Sequence, residues 1–511
     1  MTETKKSLLP LPDALVGKLN NFFSGKIYPA AIAAAVFIGH VSALEFYMAI
    51  LILLASSLAF LVCDSVKHFI PTLITFLYLV NLKHSPGSIN GIDPGSDYYS
   101  QPYVFVTAAV MFTVLAVSVI LYTVFRLAPR IRNGGKPPLL LPLSLLAAAF
   151  ILNGAFCSGW KPASLVFGFA EAAVYFLLFY LFYYGLKGES INRLIDYVCY
   201  TALLSSFIII GELAFLYITN DAVIADGFIH KDAISLGWGI SNPIGCALVM
   251  LVPLLMLGAI RCKYAPVYLC AMFLTCAATF FTLSRNAIVV CLLVLTASIL
   301  VAYFMSNLRK ILGITVACGM GAVLLVALIF NSQMGELLRY FSGVGSADNG
   351  RFILWKQSFE NFLSAPIFGR GFFDWGEMDV YEVASFVPTM AHNTFFQLMS
   401  SMGIFGLGSY IFYRIRTVMP FFKNISREKL LIFLSVAALL LGSLLDNFVF
   451  YFQSVFLYAI LLALVFHMIE YEQNWTSDNE WNADDEGDED KYEDNEDEDN
   501  EDDDGTDTYY A

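Results

Sequence analysis

Apolar runs interrupted by short polar turns succeed one another from about residue 27 to residue 470. A helix crossing the hydrocarbon core needs roughly 20 apolar residues. Runs approaching that length lie near 27–42, 44–63, 66–82, 103–125, 138–156, 164–186, 195–219 and 241–260. Others follow near 264–282, 286–305, 311–330, 392–413, 430–448 and 450–470. Backbone polar groups in lipid must be satisfied within the protein. The pattern therefore predicts an all-α polytopic membrane protein with about 12–14 transmembrane helices.

One amphipathic stretch departs from this rhythm. In "SADNGRFILWKQSFENFLSAPIFGRGFF", residues 346–373, Phe352, Trp355, Phe359 and Phe362 fall at helical spacing. They predict a helix lying on the membrane or on the bundle, capped by Asp348 or Asn349.

Composition agrees with the membrane reading: 58% of residues are hydrophobic, 14% are charged, and the mean hydropathy is +0.67. The net charge of −14 is carried by the end of the chain. From Asp478 onward there are 19 acidic residues and one lysine, a contribution of −18, which leaves +4 for the rest. So acidic a tail, residues 471–511, cannot bury a core and is expected to be disordered and to bind a cytoplasmic partner or solvate the chain. No nucleic-acid partner is expected. The nine cysteines are scattered through apolar runs and form no CxxC or Cys/His cluster, so they read as small core residues, not as a disulfide framework or metal site.

Loop charge sets the orientation. With the N-terminus inside, Arg126/Arg130/Arg132/Lys136, Lys187/Arg193, Arg261/Lys263, Arg309/Lys310 and Arg414/Arg416/Lys423/Arg427/Lys429 all fall in inside loops. That agreement follows the positive-inside rule. It makes residues 1–26 a cytoplasmic segment whose following span is expected to stay in place. Residues 27–330 and 392–470 are then transmembrane, residues 331–391 form one large extracytoplasmic loop, and the acidic tail is cytoplasmic.

The candidate chemistry gathers at the outer face. His392 lies where the loop re-enters the membrane, in "MAHNTFFQLMSSMGIFGLGSY", residues 390–410. Gly403, eleven residues on, is almost three helical turns away, so a continuous helix would put both on one face, with Gly406 and Gly408 close by. His392 is open to two readings, a group aimed into an interior cavity or an interfacial histidine reaching water. Arg351 sits in the first turn of the amphipathic helix, where a helix N-terminus and an arginine suit a phosphate or diphosphate. Its other reading is a pair with Asp348. Arg285, in "FTLSRNAIVV", lies between two spans with almost no loop and faces either an anionic partner or lipid headgroups. Arg370, in the "GRG" turn, is a weaker anion candidate. For Lys161, Lys231, Asp232 and Asp446 a solvated loop position is the better reading. P-loops, dinucleotide fingerprints and nucleophile elbows are absent from the sequence. Histidine is the group that ordinarily titrates near neutrality, and the arginines suit a phosphate-linked lipid.

These motifs resemble a known family. "HNTFFQLMSSMGIFG" is similar to the HN(S/T)-x8-G-x2-G pattern of bacterial O-antigen ligases, with His392, Asn393, Thr394, Gly403 and Gly406 in register. "TLSRNA" resembles that family's short arginine motif, and "GRFILWKQSFENFLSAPIFGRGF" resembles its loop helix and glycine turn. The resemblance covers roughly residues 235–450. The acidic tail and the number of spans depart from the family's usual pattern.

The resemblance implies a superfamily of O-antigen ligases, Wzy-type polysaccharide polymerases and protein O-oligosaccharyltransferases. These are metal-independent C-type glycosyltransferases with no cofactor, acting on undecaprenyl-diphosphate glycans outside the bacterial cytoplasmic membrane. It implies that His392 activates the acceptor hydroxyl and that Arg285 and Arg351 bind the diphosphate, with Arg370 and Asn393 as further substrate contacts. The expected activity is inverting transfer of a glycan to a glycan or glycolipid hydroxyl. Its alternative is a polymerase joining lipid-linked repeat units. A lipid transporter is disfavoured, because the sequence shows neither repeat symmetry nor ionisable residues concentrated at mid-membrane.

Overall fold

The computed structural model describes residues 7–42, 44–74, 102–133, 137–225, 228–236, 240–314 apart from 308, 310 and 312, 351–373 and 391–489. The spans expected at 66–82 and 311–330, most of the 331–391 loop, the caps Asp348 and Asn349, Lys136, Lys310 and the end of the acidic tail fall outside these residues in whole or in part. Residues 471–489 of the tail expected to be disordered are helical.

Helices dominate the described chain: α1 (Asp13–Ser24), α2 (Ile27–Ser42), α3 (Glu45–Val62), α4 (Pro102–Tyr122), α5 (Ala128–Asn133), α6 (Leu140–Phe156), α7 (Pro162–Gly185) and α8 (Ile191–Thr219). They continue as α9 (Ser241–Arg261), α10 (Ala265–Phe281), α11 (Arg285–Met305), α12 (Arg351–Ser364), α13 (Thr394–Val418), α14 (Arg427–Gly442) and α15 (Phe452–Glu489). Two-residue strands β1 (Ile224–Ala225) and β2 (Phe228–Ile229) form a small antiparallel ribbon after α8. A π-helical turn, Thr123–Leu127, joins α4 to α5.

Among the described residues seven helices are long and apolar enough to cross a membrane, and α1 with α2 forms one further pair bent by 64°. Phe46–Val62, Leu140–Phe156 and Ala265–Phe281 are shorter apolar helices. The chain is thus an all-α polytopic membrane protein. Its centre is α9 and α15: in each, 89% of the membrane-length window is buried, against 22% for the outlying Ala109–Asn133 helix.

One end of the bundle is tied by arginine–carboxylate pairs. Asp64, just after α3, accepts from Arg130 at 2.6 Å and Arg126 at 3.4 Å. Arg261, the last residue of α9, pairs with Asp196 near the start of α8 at 2.9 Å and lies 3.9 Å from Glu428 at the start of α14. These are members of the basic clusters read from the loops, and they gather where α7, α9 and α11 end. Arg414 corrects that reading, because it lies inside α13. Its guanidinium is buried and lies 4.7–5.2 Å from the ring centres of Tyr410, Tyr413 and Tyr458. Cation–π contact replaces solvent there.

The helix α13 also differs from the continuous helix that the spacing argument assumed. Gly403 adopts φ 63° and ψ −162°, which breaks it. Phe395 and Tyr410 are fifteen positions apart, so a straight helix would separate their Cα atoms by about 22 Å. Their ring centres are 6.3 Å apart, so the two halves fold sharply toward one another.

A strap of residues 366–371 satisfies the backbone groups that the break releases. Ile404 N–H donates to Pro366 O at 2.8 Å, and Phe405 N–H to Ile367 O at 3.4 Å. In return Arg370 N–H donates to Ser400 O and Gly371 N–H to Ser401 O, at 2.9 and 3.0 Å. The strap's far side receives Ser158 N–H and Gly159 N–H, and Asn153 Nδ2 clamps both Phe368 O and Ser401 O. A Cβ at Gly403 would meet Ile367 O at 2.4 Å, so glycine is required both for the dihedral and for the contact.

Candidate functional site

At the end of the bundle opposite the arginine–carboxylate pairs, four helix termini converge: the starts of α9, α11 and α13 and the end of α14. The length of α9, 21 residues, places about 31 Å between these two ends.

His392 precedes α13 instead of belonging to it, with φ 51°. Left-handed backbone costs a non-glycine residue roughly 1–2 kcal/mol, so its surroundings must hold it there. Asn393 follows as the N-cap, its side chain accepting from Phe395 N–H and Phe396 N–H at 2.9 and 3.1 Å. Asn393 also donates to Leu444 O at 2.7 Å, and Thr394 N–H donates to Ser443 O at 3.0 Å. The signature pair His392–Asn393 is therefore fastened to the turn that follows α14. Gly403 and His392 do not share a helix face, Gly408 has open space around its Cβ position, and a Cβ at Gly406 would meet Met402 of the same helix, so of these glycines Gly403 is the one shown pressed against another segment.

That turn carries Asp446, which the sequence reading left as a solvated loop residue. The structure corrects this: Asp446 is 3% exposed. His392 Nδ1 lies 3.3 Å from its Oδ1, while His392's own side chain is 41% exposed. Oδ1 also accepts Asn447 N–H at 2.8 Å, and Oδ2 accepts Asn242 Nδ2 at 2.9 Å. Three donors thus surround one carboxylate. With Nδ1–H directed at Asp446, the tautomer that fits leaves Nε2 as the lone-pair nitrogen.

A hydrogen-bonded chain runs on from Asp446 to the helix terminus that carries the first arginine. Asn242 Oδ1 accepts from Ser284 Oγ at 2.9 Å, and Ser284 is the N-cap of α11, accepting from Ala287 N–H. Arg285 is the first residue of that helix, half-buried. Asn286 fixes the same terminus by donating to Gly442 O at 2.8 Å.

Arg351, also half-buried, opens α12. This helix turns Leu354, Trp355, Ser358 and Asn361 toward α13 and leaves Phe352 and Phe359 64% and 50% exposed. The expected aromatic stripe is therefore split. Trp355 lies face to face with Phe396, with ring centres 5.3 Å apart and planes at 9°. Phe359 is exposed, and Phe352, though largely exposed, meets the Trp355 ring edge-on. Arg370 is in the strap, its backbone bonded to both Ser400 and Gly159. Lys161 caps α7 and donates to Phe373 O at 2.6 Å, a holding contact for the strap's exit. Among the described residues no group of three or more His, Cys, Asp or Glu side chains could hold a metal ion.

Sequence reasoning missed Asp446, Asn242 and Ser284. The signal for Asp446 was present: an aspartate between the apolar runs ending "LLGSLL" and beginning "FVFYF" is the kind of ionisable residue that burial must compensate.

Fold and site together define a polytopic helical membrane protein with a histidine–carboxylate pair and an arginine-led helix terminus at one end of the bundle. Residues 270–411 match the family model described as O-antigen ligase. This part of the chain is similar to the O-antigen ligase family, whose members are glycosyltransferase-type enzymes. The match takes in Arg285, Arg351, Arg370, His392 and Gly403, and ends before Asp446. No curated protein matches the chain.

Proposed function

We propose that this protein transfers a glycan from an undecaprenyl-diphosphate carrier to an acceptor hydroxyl at the outer face of a bacterial cytoplasmic membrane. The observation that carries the reading is His392, open to solvent on one side and bonded through Nδ1 to buried Asp446, within a segment similar to the O-antigen ligase family. The arginine-rich end of the bundle lies opposite, and the positive-inside rule then supports an outward-facing site.

His392 Nε2 removes the acceptor's hydroxyl proton as that oxygen attacks C1 of the donor sugar. The C1–O bond to the diphosphate breaks, and its electron pair leaves with the diphosphate. Arg285 and Arg351 neutralise the charge that develops there. Asp446 holds the ring and stabilises the imidazolium until the proton passes to solvent. In-line attack inverts the anomeric centre.

The test is glycan transfer by purified protein in detergent, from a lipid-diphosphate donor, with the product's anomeric configuration assigned. Retention of configuration, or full activity in His392→Ala, would sink the reading. The acceptor decides between its two forms: transfer to a glycolipid is ligation, and transfer onto a second lipid-linked unit is polymerisation.

A further inference from the structure

We infer that Trp355 is a positioning residue for His392, through a clamp on the peptide unit just before it; the inference rests on the proposed role of His392. Ala391 is held on both of its backbone groups. Its N–H donates to Gln397 Oε1 at 2.7 Å, and its C=O accepts from Trp355 Nε1 at 3.1 Å. Gln397 belongs to α13 and Trp355 to α12, so two separate helices grip a residue that is itself fully buried.

The need for such a grip follows from the backbone of His392. A non-glycine residue at φ 51° relaxes toward an ordinary conformation unless both neighbours are fixed. On the following side Asn393 and Thr394 are fastened to Leu444 and Ser443. On the preceding side Ala391 is the fixed point, and Trp355 is its link to α12. Relaxation at His392 would swing the imidazole away from Asp446, since the pair at 3.3 Å is already at the long end of hydrogen-bonding distance.

The indole is in turn set by its surroundings. Its ring stacks on Phe396, and Phe352 meets it edge-on at 5.3 Å. Phenylalanine at this position would keep the stacking and lose the N–H. The clamp also ties His392 to Arg351, which lies one turn before Trp355 on the same side of α12. Any movement of this helix when a diphosphate reaches Arg351 is delivered to Ala391.

The experiment compares wild type with Trp355→Phe in detergent-purified full-length protein, with Phe359→Ala on the exposed side of α12 as control. Two quantities are read: donor-dependent turnover, and the rate at which diethyl pyrocarbonate acylates His392, measured by peptide mass spectrometry against exposed His230 in the same sample. Trp355→Phe is expected to lower kcat about tenfold with donor KM within about twofold, as for a lost positioning contact. It is also expected to raise His392 acylation about threefold relative to His230. Trp355→His, which retains a ring N–H, should recover part of both.

Unchanged His392 acylation overturns the inference, whether or not turnover falls. Altered acylation with unchanged turnover upholds the clamp and removes His392 from the chemistry, so the two claims fail separately. Should Trp355→Phe not fold, Gln397→Leu frees the other side of Ala391 and takes its place under the same criteria.

Discussion

Replacing Asp446 by asparagine tests the histidine–carboxylate pair at its buried end. The carboxylate accepts from three donors: His392, Asn447 N–H and Asn242 Nδ2. An amide offers one oxygen. If that oxygen stays with His392 and Asn447, an NH2 group faces Asn242 Nδ2, donor against donor. If the amide flips, the NH2 group faces His392 Nδ1 and favours the tautomer with its lone pair there, which removes the base from Nε2.

A hydrogen bond to a charged group contributes about 1.5–3 kcal/mol. His392 is 41% exposed, so solvent screening favours the lower part of that range. At about 1.4 kcal/mol per factor of ten, the expected loss in kcat is about 10–30-fold. Donor affinity should stay within about twofold, because Asp446 does not face the diphosphate in this mechanism. Single-turnover transfer with saturating donor measures the first quantity, and equilibrium binding of labelled donor measures the second. Turnover within threefold of wild type would refute the role of Asp446 in setting the imidazole. A collapse of donor binding at normal single-turnover rate would refute it in another way, by moving Asp446 to the donor side.

Four further outcomes are expected. His392→Ala should cut turnover by about 10²–10⁴-fold with donor binding near normal, read in the same two assays. Arg285→Ala and Arg351→Ala should each weaken donor binding, with poor rescue by lysine, because a point charge does not reproduce a two-pronged contact to phosphate; normal affinity in both would return these arginines to capping and interfacial roles. Gly403→Ala should destabilise the protein by about 2 kcal/mol or more, seen as a lower unfolding temperature in detergent, since it adds a Cβ 2.4 Å from Ile367 O at a positive φ. Deleting residues 478–511 should leave transfer in vesicles within about twofold, while cysteine labelling places residues 331–391 outside and both termini inside; a cytoplasmic 331–391 would defeat the proposed function.

Much of the fold was legible because lipid enforces helices and hydrophobic length alone marks them. The signature at His392–Gly406 was likewise readable as a string. What it does was not. The eleven-residue spacing suggested a shared helix face, yet His392 precedes the helix and Gly403 breaks it. Spacing rules presuppose an unbroken helix, and a break paired with a strap thirty or so residues earlier leaves no periodic trace. Asp446 was named but read as solvated for a related reason: its partners are Asn242 of α9 and His392 just before α13, so its burial is a tertiary fact. Arg414 was read as a loop charge because charge counting has no term for an aromatic cage. On α12 the aromatic periodicity was correctly placed, but it could not tell that Trp355 faces inward while Phe352 and Phe359 face out.

The strap has a consequence for how the chain is made. Residues 394–418 leave the ribosome after residues 366–371, and the break at Gly403 exposes backbone groups that hydrocarbon cannot satisfy. Until the strap has docked, the lowest-energy state of that segment in hydrocarbon is an unbroken helix. With the loop outside, as the proposed function requires, biogenesis would include a late conversion inside the bilayer, from a straight inserted helix to a broken one, with translocation of the preceding loop as its precondition. A stalled or cytoplasmically retained loop would leave a membrane-inserted chain of normal abundance in which His392 never meets Asp446.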